Sequence, residues 1–489
     1  MNFRPALNEV VALGGSCKRI PVSLEIFADM QTPIRLLTKI EQRSSHCFLL
    51  ESAEGGEKWG RYSFLSYDPQ MTLTVKNGRT HIVGKDGEKI VDGNPIEAIR
   101  SLLEEYAAPT FDYLPRFSGG AVGFFGYDMV RYYESLPDKT VNDGDYPDCC
   151  LMISDKIIAF DNMWQRMTII VNMLTAGDII RNYIEAVAQI KQIYSLIMDD
   201  TPTPVLQKNA EKPQWKSNVT KDEYERMVEA AKEHIRDGDI FQVVLSQRFT
   251  ARLDGSLLNT YRVLRLTNPS PYMYYLKLGG IELAGASPET LLRLENGTLE
   301  TCPIAGSRPR GRTEEEDKSL AAELEKDEKE LAEHNMLVDL ARNDLGRVAR
   351  FGSVRVAEYC KLARFSHVMH LTSLVTAELA DGHDALDALT SIQPAGTLSG
   401  APKVKAMEII ESCESLRRGP YGGAVGYIGF DGNMDVCITI RTIVKKDGVA
   451  FVQAGAGIVA DSVPELEYYE SVNKAKAVLV AAEQAGGII

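Results

Sequence analysis

Along residues 321–350, AAELEKDEKELAEHNMLVDLARNDLGRVAR, apolar positions recur at helical spacing. Leu337, Leu340, Ala341, Leu345 and Val348 fall on one stripe, as expected of a helix with one face against a core. The stretch has no proline, one glycine near its end and many Ala, Leu, Glu, Lys and Arg residues, so the pattern predicts one long helix. Carried backwards, the stripe meets Glu333 and Glu330, because positions three and four apart share a face. Their neighbours Glu325, Lys326, Glu328 and Lys329 read as a solvated, mixed-charge face. A second predicted helix, PELEYYESVNKAKAVLVAAEQ, repeats the arrangement: Glu467, Glu470, Lys474, Ala477 and Ala481 share one side. Carboxylates that extend an apolar stripe need a compensating cation, since unpaired buried charge is costly. Two pairs from two helices offer an all-oxygen donor set for one hard divalent ion, Mg²⁺ being the natural candidate. Ordinary surface charge on two helices is the alternative.

The strand-like segments are shorter. HCFLLES (46–52) ends in the polar pair Glu51 and Ser52, which on composition reads as a strand-end turn. GGAVGFFGYD (119–128) returns as GGAVGYIGFD (422–431), an internal repeat that predicts two related glycine-rich strands in two similar layers. The proline-containing stretch 200–218 has few apolar residues and reads as a linker, giving an N-terminal region 1–200, a linker 201–218 and a second region 219–489. Thr220 and Glu223 then form a capping box for a helix with Met227, Ala230, Ala231 and Ile235 inward, stopped by Gly238. In the strand IFQVVLSQRF (240–249), Gln242, Val244, Ser246 and Arg248 share one face. The segment CPIAGSRPRGR (302–312) reads as an irregular loop whose three arginines suit an anion or, equally, make a solvated basic turn. HVMHLTSLVTAEL (367–379) places His367 and His370 three residues apart, and PAGTLSGAPK (394–403) feeds a helix N-terminus able to cradle a carboxylate or phosphate. It lacks the GxxxxGK[ST] spacing of a P-loop.

Bulk properties narrow the class. A chain of 489 residues exceeds one simple core. Hydrophobic content of 44% and charged content of 25% are those of a soluble globular protein. A net charge of −14 argues against broad nucleic-acid or anionic-membrane binding. The eight cysteines are scattered without a CxxC, which points to a reducing compartment. With neither a signal-peptide layout nor an apolar run of membrane-span length, the expectation is a cytoplasmic protein.

PIAGSRPRG, ELAEHNMLVDLARNDLGRV, HVMHL, GTLSGAPK, GPYGGAVGYIGF, IRT, QAGAGIVADS and ELEYYESVNKA occur in this order. With LLES near the N-terminus and NPSPYMYY in the middle, the set resembles the chorismate-utilising enzymes, most closely the anthranilate synthase component I family. The resemblance implies an α/β (α+β) fold of two apposed antiparallel sheets flanked by helices, with the active site in the cleft. It implies Mg²⁺ and chorismate, with Glu333 and Glu470 as direct ligands and Glu330 and Glu467 as supporting carboxylates. Gly306, Ser307, Tyr421, Arg441, Lys474 and the backbone of Gly455, Ala456 and Gly457 match substrate-binding positions. Ser307 stands where the family has threonine and keeps the hydroxyl. Thr397 and His370 match residues beside the ring substituents, and Glu289 matches a candidate general acid.

The implied lyase reaction adds ammonia to chorismate and then eliminates pyruvate to give anthranilate, the first committed step of tryptophan biosynthesis. Relatives that add water carry lysine at Gln242, where a base is needed; ammonia needs none. Aminodeoxychorismate synthases carry lysine at Ala305. An aminodeoxychorismate synthase component I lacking that lysine is one alternative, and a catalytically silent chorismate or tryptophan sensor is another. The expected partner is a glutamine amidotransferase subunit, component II, in a hetero-oligomer. The resemblance also implies tryptophan inhibition at Leu50, Glu51, Ser52, Asn268, Pro271, Tyr272, Met273, Gly426 and Tyr427, with Glu51 pairing the ligand ammonium.

Overall fold

The structure, a computed structural model, describes residues 1–52, 60–85, 87–201, 212–364 and 368–487. Its described strands form two large antiparallel sheets, and helices cover both outer faces. This is the expected α+β architecture. Phe48, Phe64, Phe124, Tyr274, Leu283, Val425 and Phe451 interdigitate between the sheets. Strand residues on both faces are therefore apolar, as burial on both sides requires.

Each sheet is built half from the N-terminal region and half from the C-terminal region. In the first sheet, the seam is the strand His46–Glu51 paired with Tyr272–Leu278. In the second, it is Gly120–Phe125 paired with Ala424–Gly429. The two glycine-rich repeats are thus direct neighbours in one sheet, not members of two layers. Gly123 stands opposite Gly426 across the seam. A Cβ on Gly123 would run into the Cys150 carbonyl oxygen of the strand on its other side, and one on Gly426 would run into that of Asp435. The repeat is therefore explained by close backbone approach. Gly123→Ala is expected to cost about 1–3 kcal/mol by overpacking, seen as a lower thermal midpoint; an unchanged midpoint would show that the seam can spread.

The linker separates the halves in sequence but not in space. Residues 202–211 lie outside the described residues, and Lys216–Ser217 is already a strand on Thr250 and Phe249. The predicted helix over 321–350 is two helices, Glu314–Leu324 and Glu328–Gly346. The break comes because Asp327 caps the second, its carboxylate accepting from the Lys329 and Glu330 amides. The capping box at Thr220 and Glu223 starts Lys221–Arg236 as expected, but its buried stripe is Tyr224, Val228 and Ala231, with Ala230 exposed. The supposed loop 302–312 contains the strand Ile304–Pro309, paired with Val368–Glu378. Arg308 there bonds Glu323, Asp327 and Glu330, and Arg310 bonds Asp317. Those two arginines hold carboxylates of the neighbouring helices, so they do not form an open anion loop.

Candidate active site and interlayer cavity

Both acidic pairs lie near the N-terminal ends of their helices, Glu328–Gly346 and Pro464–Gln484, where the helix dipole favours negative charge. The helices bring the pairs together. Burial, then the neighbouring Glu330 and, more weakly, Glu470, push the Glu333 carboxyl above the ordinary range. Burial does the same to Glu467, with Glu470 adding to it. Lys474 Nζ lies 2.6 Å from Glu470 Oε1, and Gln242 Nε2 lies 3.5 Å from Glu333 Oε1. Among the described residues, no three His, Cys, Asp or Glu side chains already form a metal cage. Even so, the donor chemistry fits Mg²⁺: mutually repelling carboxylates are stabilised by a hard cation and otherwise rely on lysine or protons. Glu330 and Glu467 stand one turn before the buried His334 and Ser471 and continue those stripes half-buried, while Glu333 and Glu470 lie at the stripes' edge. The core face of the second helix is Ser471, Ala475, Val478, Ala481 and Ala482, with Glu470 exposed.

A further buried carboxyl faces the same region. Glu289 follows the strand Ile281–Ser287 and accepts from Thr397 Oγ1 at 3.0 Å. Burial pushes its carboxyl up to about 7, against the opposing effects of Thr397, Lys474 and Arg441. Thr397 sits in the 3₁₀ turn Gly396–Leu398. His370, on Val368–Glu378, places Nδ1 2.7 Å from the Gly306 carbonyl and 2.9 Å from Ser307 Oγ. A carbonyl only accepts, so Nδ1 carries the proton and Nε2 remains the acceptor of a neutral ring. Burial lowers the His370 value, which keeps that ring neutral. His367 lies outside the described residues. Gly306 has φ +68°, and a Cβ there would lie 3.2 Å from Glu330 Oε2, so the turn abuts the acidic cluster.

Two strands complete the wall. Gln242 opens Gln242–Arg252, which pairs with Val449–Ile458 so that Val244, Leu245 and Ser246 face Gly457, Ala456 and Gly455. Gln242 is 4% exposed. A Cβ on Gly457 would lie 2.6 Å from Gln242 Nε2, so glycine makes room for the amide. Thr442–Lys446 pairs with the glycine strand only from Val449 to Val452. The far edge of Gly455–Gly457 therefore has no strand neighbour among the described residues, which suits a carboxylate cradle. Arg441 precedes that short strand in a left-handed conformation, φ +51°, and donates to the Lys474 carbonyl at 2.8 Å. Tyr421 and Glu470 lie within its electrostatic reach. The residues expected to bind substrate, metal and proton thus form one connected cluster.

The residues of the expected inhibitor site gather elsewhere. A cavity partly open to solvent is lined by Leu50, Glu51, Ser52, Pro271, Met273 and Tyr427, among others. It lies between the sheets, where both seams meet. Tyr272 and Gly426 also line it, whereas Asn268, the C-cap of Leu258–Thr267, is not among the lining residues. Glu51, expected to pair with a ligand ammonium, is buried at 9% exposure and its carboxylate already accepts from Ser63, Tyr261 and Arg265. Sequence reasoning missed Arg116, Arg293 and Asp435, which also line the cavity. Asp435 accepts from Tyr272 at 2.7 Å and from Arg293 at 3.0 Å. These residues sit at no motif, and only strand pairing brings them together. Lys403, inside the GTLSGAPK segment, was also missed as a structural link: half-buried, it bonds Asp344 at 2.9 Å and thereby ties the first acidic helix to the Thr397 turn. No described helix is long and apolar enough to cross a membrane.

Comparison with known proteins agrees with this arrangement. The chorismate binding enzyme family matches residues 45–480. Anthranilate synthase component 1 of Acetivibrio thermocellus is 52% identical, covering 99% of this chain and 100% of the relative. That of Aquifex aeolicus (strain VF5) is 47% identical, covering 99% and 98%. The crystal structure of anthranilate synthase component I from Streptococcus pneumoniae TIGR4 superposes with a TM-score of 0.79 at 37% identity, covering 93% of this chain and 99% of that one. A cleft lined by carboxylates, an arginine and glycine-opened backbone is what a dianionic ring substrate requires, and by these likenesses the chain belongs to the chorismate binding enzymes and, within them, to the aminating anthranilate synthase component 1 enzymes.

Proposed function

We propose that this chain makes anthranilate from chorismate and ammonia in a Mg²⁺-dependent reaction, and that tryptophan inhibits it from the interlayer cavity. The observation that carries the catalytic reading is the meeting of both acidic pairs with Glu289, itself pushed up to about 7, in one cleft. Glu333 and Glu470 would hold the metal directly, supported by Glu330 and Glu467. Bound there, Mg²⁺ offsets the acidic quartet and supplies the positive charge for a substrate carboxylate. Arg441, beside Tyr421, pairs with the enolpyruvyl carboxylate. The backbone of Gly455, Ala456 and Gly457 and the turn at Gly306 and Ser307 fix the ring.

Protonated Glu289, held by Thr397, gives its proton to the C4 hydroxyl, which leaves as water while ammonia bonds to C2. Gln242 supplies no base, and neutral ammonia needs none. In the second stage C2 loses a proton, the enolpyruvyl group takes one up and departs as pyruvate, and the ring becomes aromatic. Neutral His370, with Nε2 as acceptor, lies beside the ring substituents in this reading. The partner is a component 2 glutamine amidotransferase that supplies ammonia. The test is incubation of the chain with chorismate, Mg²⁺ and ammonium, with the product identified by fluorescence and chromatography. Anthranilate supports the reading; 4-amino-4-deoxychorismate or no turnover defeats it.

The regulatory reading rests on the cavity at the seams. Pro271, Tyr272 and Met273 offer an apolar and aromatic wall for an indole. A ligand there touches both sheets and both halves of the chain, so it can bias their relative placement without touching the acidic quartet. Ser52→Phe is expected to fill the cavity and raise the tryptophan concentration for half-inhibition at least tenfold, with the uninhibited rate within about twofold. The measurement is a tryptophan titration of both proteins at fixed chorismate; equal sensitivity would remove Ser52 from the inhibitor site.

A further inference from the structure

Arg418 heads the largest side chains fully enclosed by protein, at 2% exposure. Its guanidinium donates in four directions: Nε to Glu414 Oε2 at 2.9 Å, one amino group to Glu414 Oε1 at 2.6 Å and to the Val244 carbonyl at 2.8 Å, and the other to the Leu398 carbonyl at 2.6 Å. Its carbon centre lies 4.7 Å from the Tyr127 ring and 5.7 Å from the Tyr421 ring. Glu414 Oε1 also accepts from the Ser246 amide at 2.9 Å and hydroxyl at 2.8 Å, and Gln453 donates to that hydroxyl at 2.8 Å.

Each anchored group adjoins a residue of the active site. Leu398 follows Thr397. Val244 is two residues from Gln242 on the same strand face, and Gln453 is two from Gly455 on the other strand. Tyr421 is reached directly. A buried ion pair is weak evidence for stability, because an apolar pair of similar volume often serves as well. Its planar, rigid fork, by contrast, sets the relative placement of several backbones at once. We propose that Arg418, held by Glu414, is a positioning residue for amination: it fixes Thr397, Gln242 and Tyr421 relative to one another. The Thr397 arm rests on the proposed role of Glu289 as proton donor.

The experiment is a pair of double-mutant cycles on the full chain, with ammonium as nitrogen source. Arg418→Lys keeps the charge and loses the fork. It is expected to lower kcat at least tenfold with a smaller change in KM for chorismate. Combined with Thr397→Val or with Gln242→Asn, it is expected to add less than about threefold to the larger single effect, because residues acting as one unit are not additive. Independent structural damage would multiply instead. If Arg418→Lys does not fold, the Glu414→Gln/Arg418→Met variant, a neutral pair, enters the same cycles. A kcat within twofold of wild type, or additivity in both cycles, overturns the proposal. Failure of the proton-donor reading shows separately, as wild-type kcat in both Thr397→Val and Glu289→Gln, with coupling then confined to Gln242→Asn.

Discussion

Glu289→Gln is expected to lower kcat for anthranilate formation by about 10²–10⁴-fold, the usual worth of a positioned proton donor. Glutamine keeps the shape and can still accept from Thr397, but has no proton to give. The pH dependence follows from the same carboxyl. Burial raises it to about 7 in the free enzyme, and the acid is the active form. Measured at constant free ammonia, which otherwise rises with pH as ammonium deprotonates, the wild-type kcat/KM should therefore be level below about 7 and fall tenfold per pH unit above it, and this limb should vanish in the variant. The stability consequence has a definite sign. A carboxyl raised above its unfolded value binds more protons in the folded state, so its contribution falls as pH rises from the ordinary carboxylate range to about 7. Glu289→Gln should lose less stability than wild type across that window. A wild-type profile flat from pH 6 to 9, or a variant at full rate, would assign proton donation elsewhere.

The second large effect is at the acidic quartet. Glu333→Gln and Glu470→Gln are each expected to reduce turnover about 100-fold or more at a Mg²⁺ concentration that saturates wild type, since both remove a proposed ligand. Melting with and without the ion separates loss of binding from loss of fold. Wild type should gain thermal stability with Mg²⁺, as any protein does with a ligand of its folded state, and the variants should not. Without the ion, the variants should differ from each other. Glu333 is raised by burial and by its carboxylate neighbours, so neutralising it relieves repulsion and should raise the melting temperature. Glu470 also repels Glu333 and Glu467 but pairs with Lys474 at 2.6 Å, so its neutralisation breaks an ion pair that offsets the relief, and the gain should be smaller. Wild-type turnover at limiting Mg²⁺ in either variant would remove that residue from the metal site.

The two cavities have different origins, which bears on how the proposed inhibition could reach the candidate active site. The catalytic cleft is assembled mostly from the C-terminal half of the chain, with the acidic helices packed outside the sheets. The interlayer cavity lies where the N-terminal and C-terminal halves join in both sheets. The strand Gln242–Arg252 lies in the same sheet as the first seam, separated from it by Ile281–Ser287, Thr442–Lys446 and Val449–Ile458. A shift at the seam therefore has a continuous hydrogen-bonded route to the Gln242 wall of the cleft.

The sequence by itself determined capped helices such as that begun by Thr220 and Glu223, the glycine-rich strand repeat and the pairing of the carboxylates. Local rules sufficed there: Thr220 and Glu223 cap a helix whatever lies around them, and paired carboxylates three residues apart share a helix face in any fold. The roles expected of Glu289, Thr397, His370, Gly306 and Arg441 came from the family resemblance and not from local rules; the structure adds that Glu289 meets Thr397 and that His370 meets Gly306. Tertiary structure alone decided the rest. The break at Asp327 depends on a capping choice that a continuous helical pattern conceals. The arginines of 302–312 read as an anion loop until the neighbouring helices brought their carboxylates to Arg308 and Arg310. Glu51 read as a partner for a ligand ammonium, and only the fold brings Arg265, over two hundred residues away, against its carboxylate. Arg418, Lys403 and Asp435 carry no local signature, because the value of a buried charge lies in its partners, and strand pairing and helix packing supply those partners from distant parts of the chain.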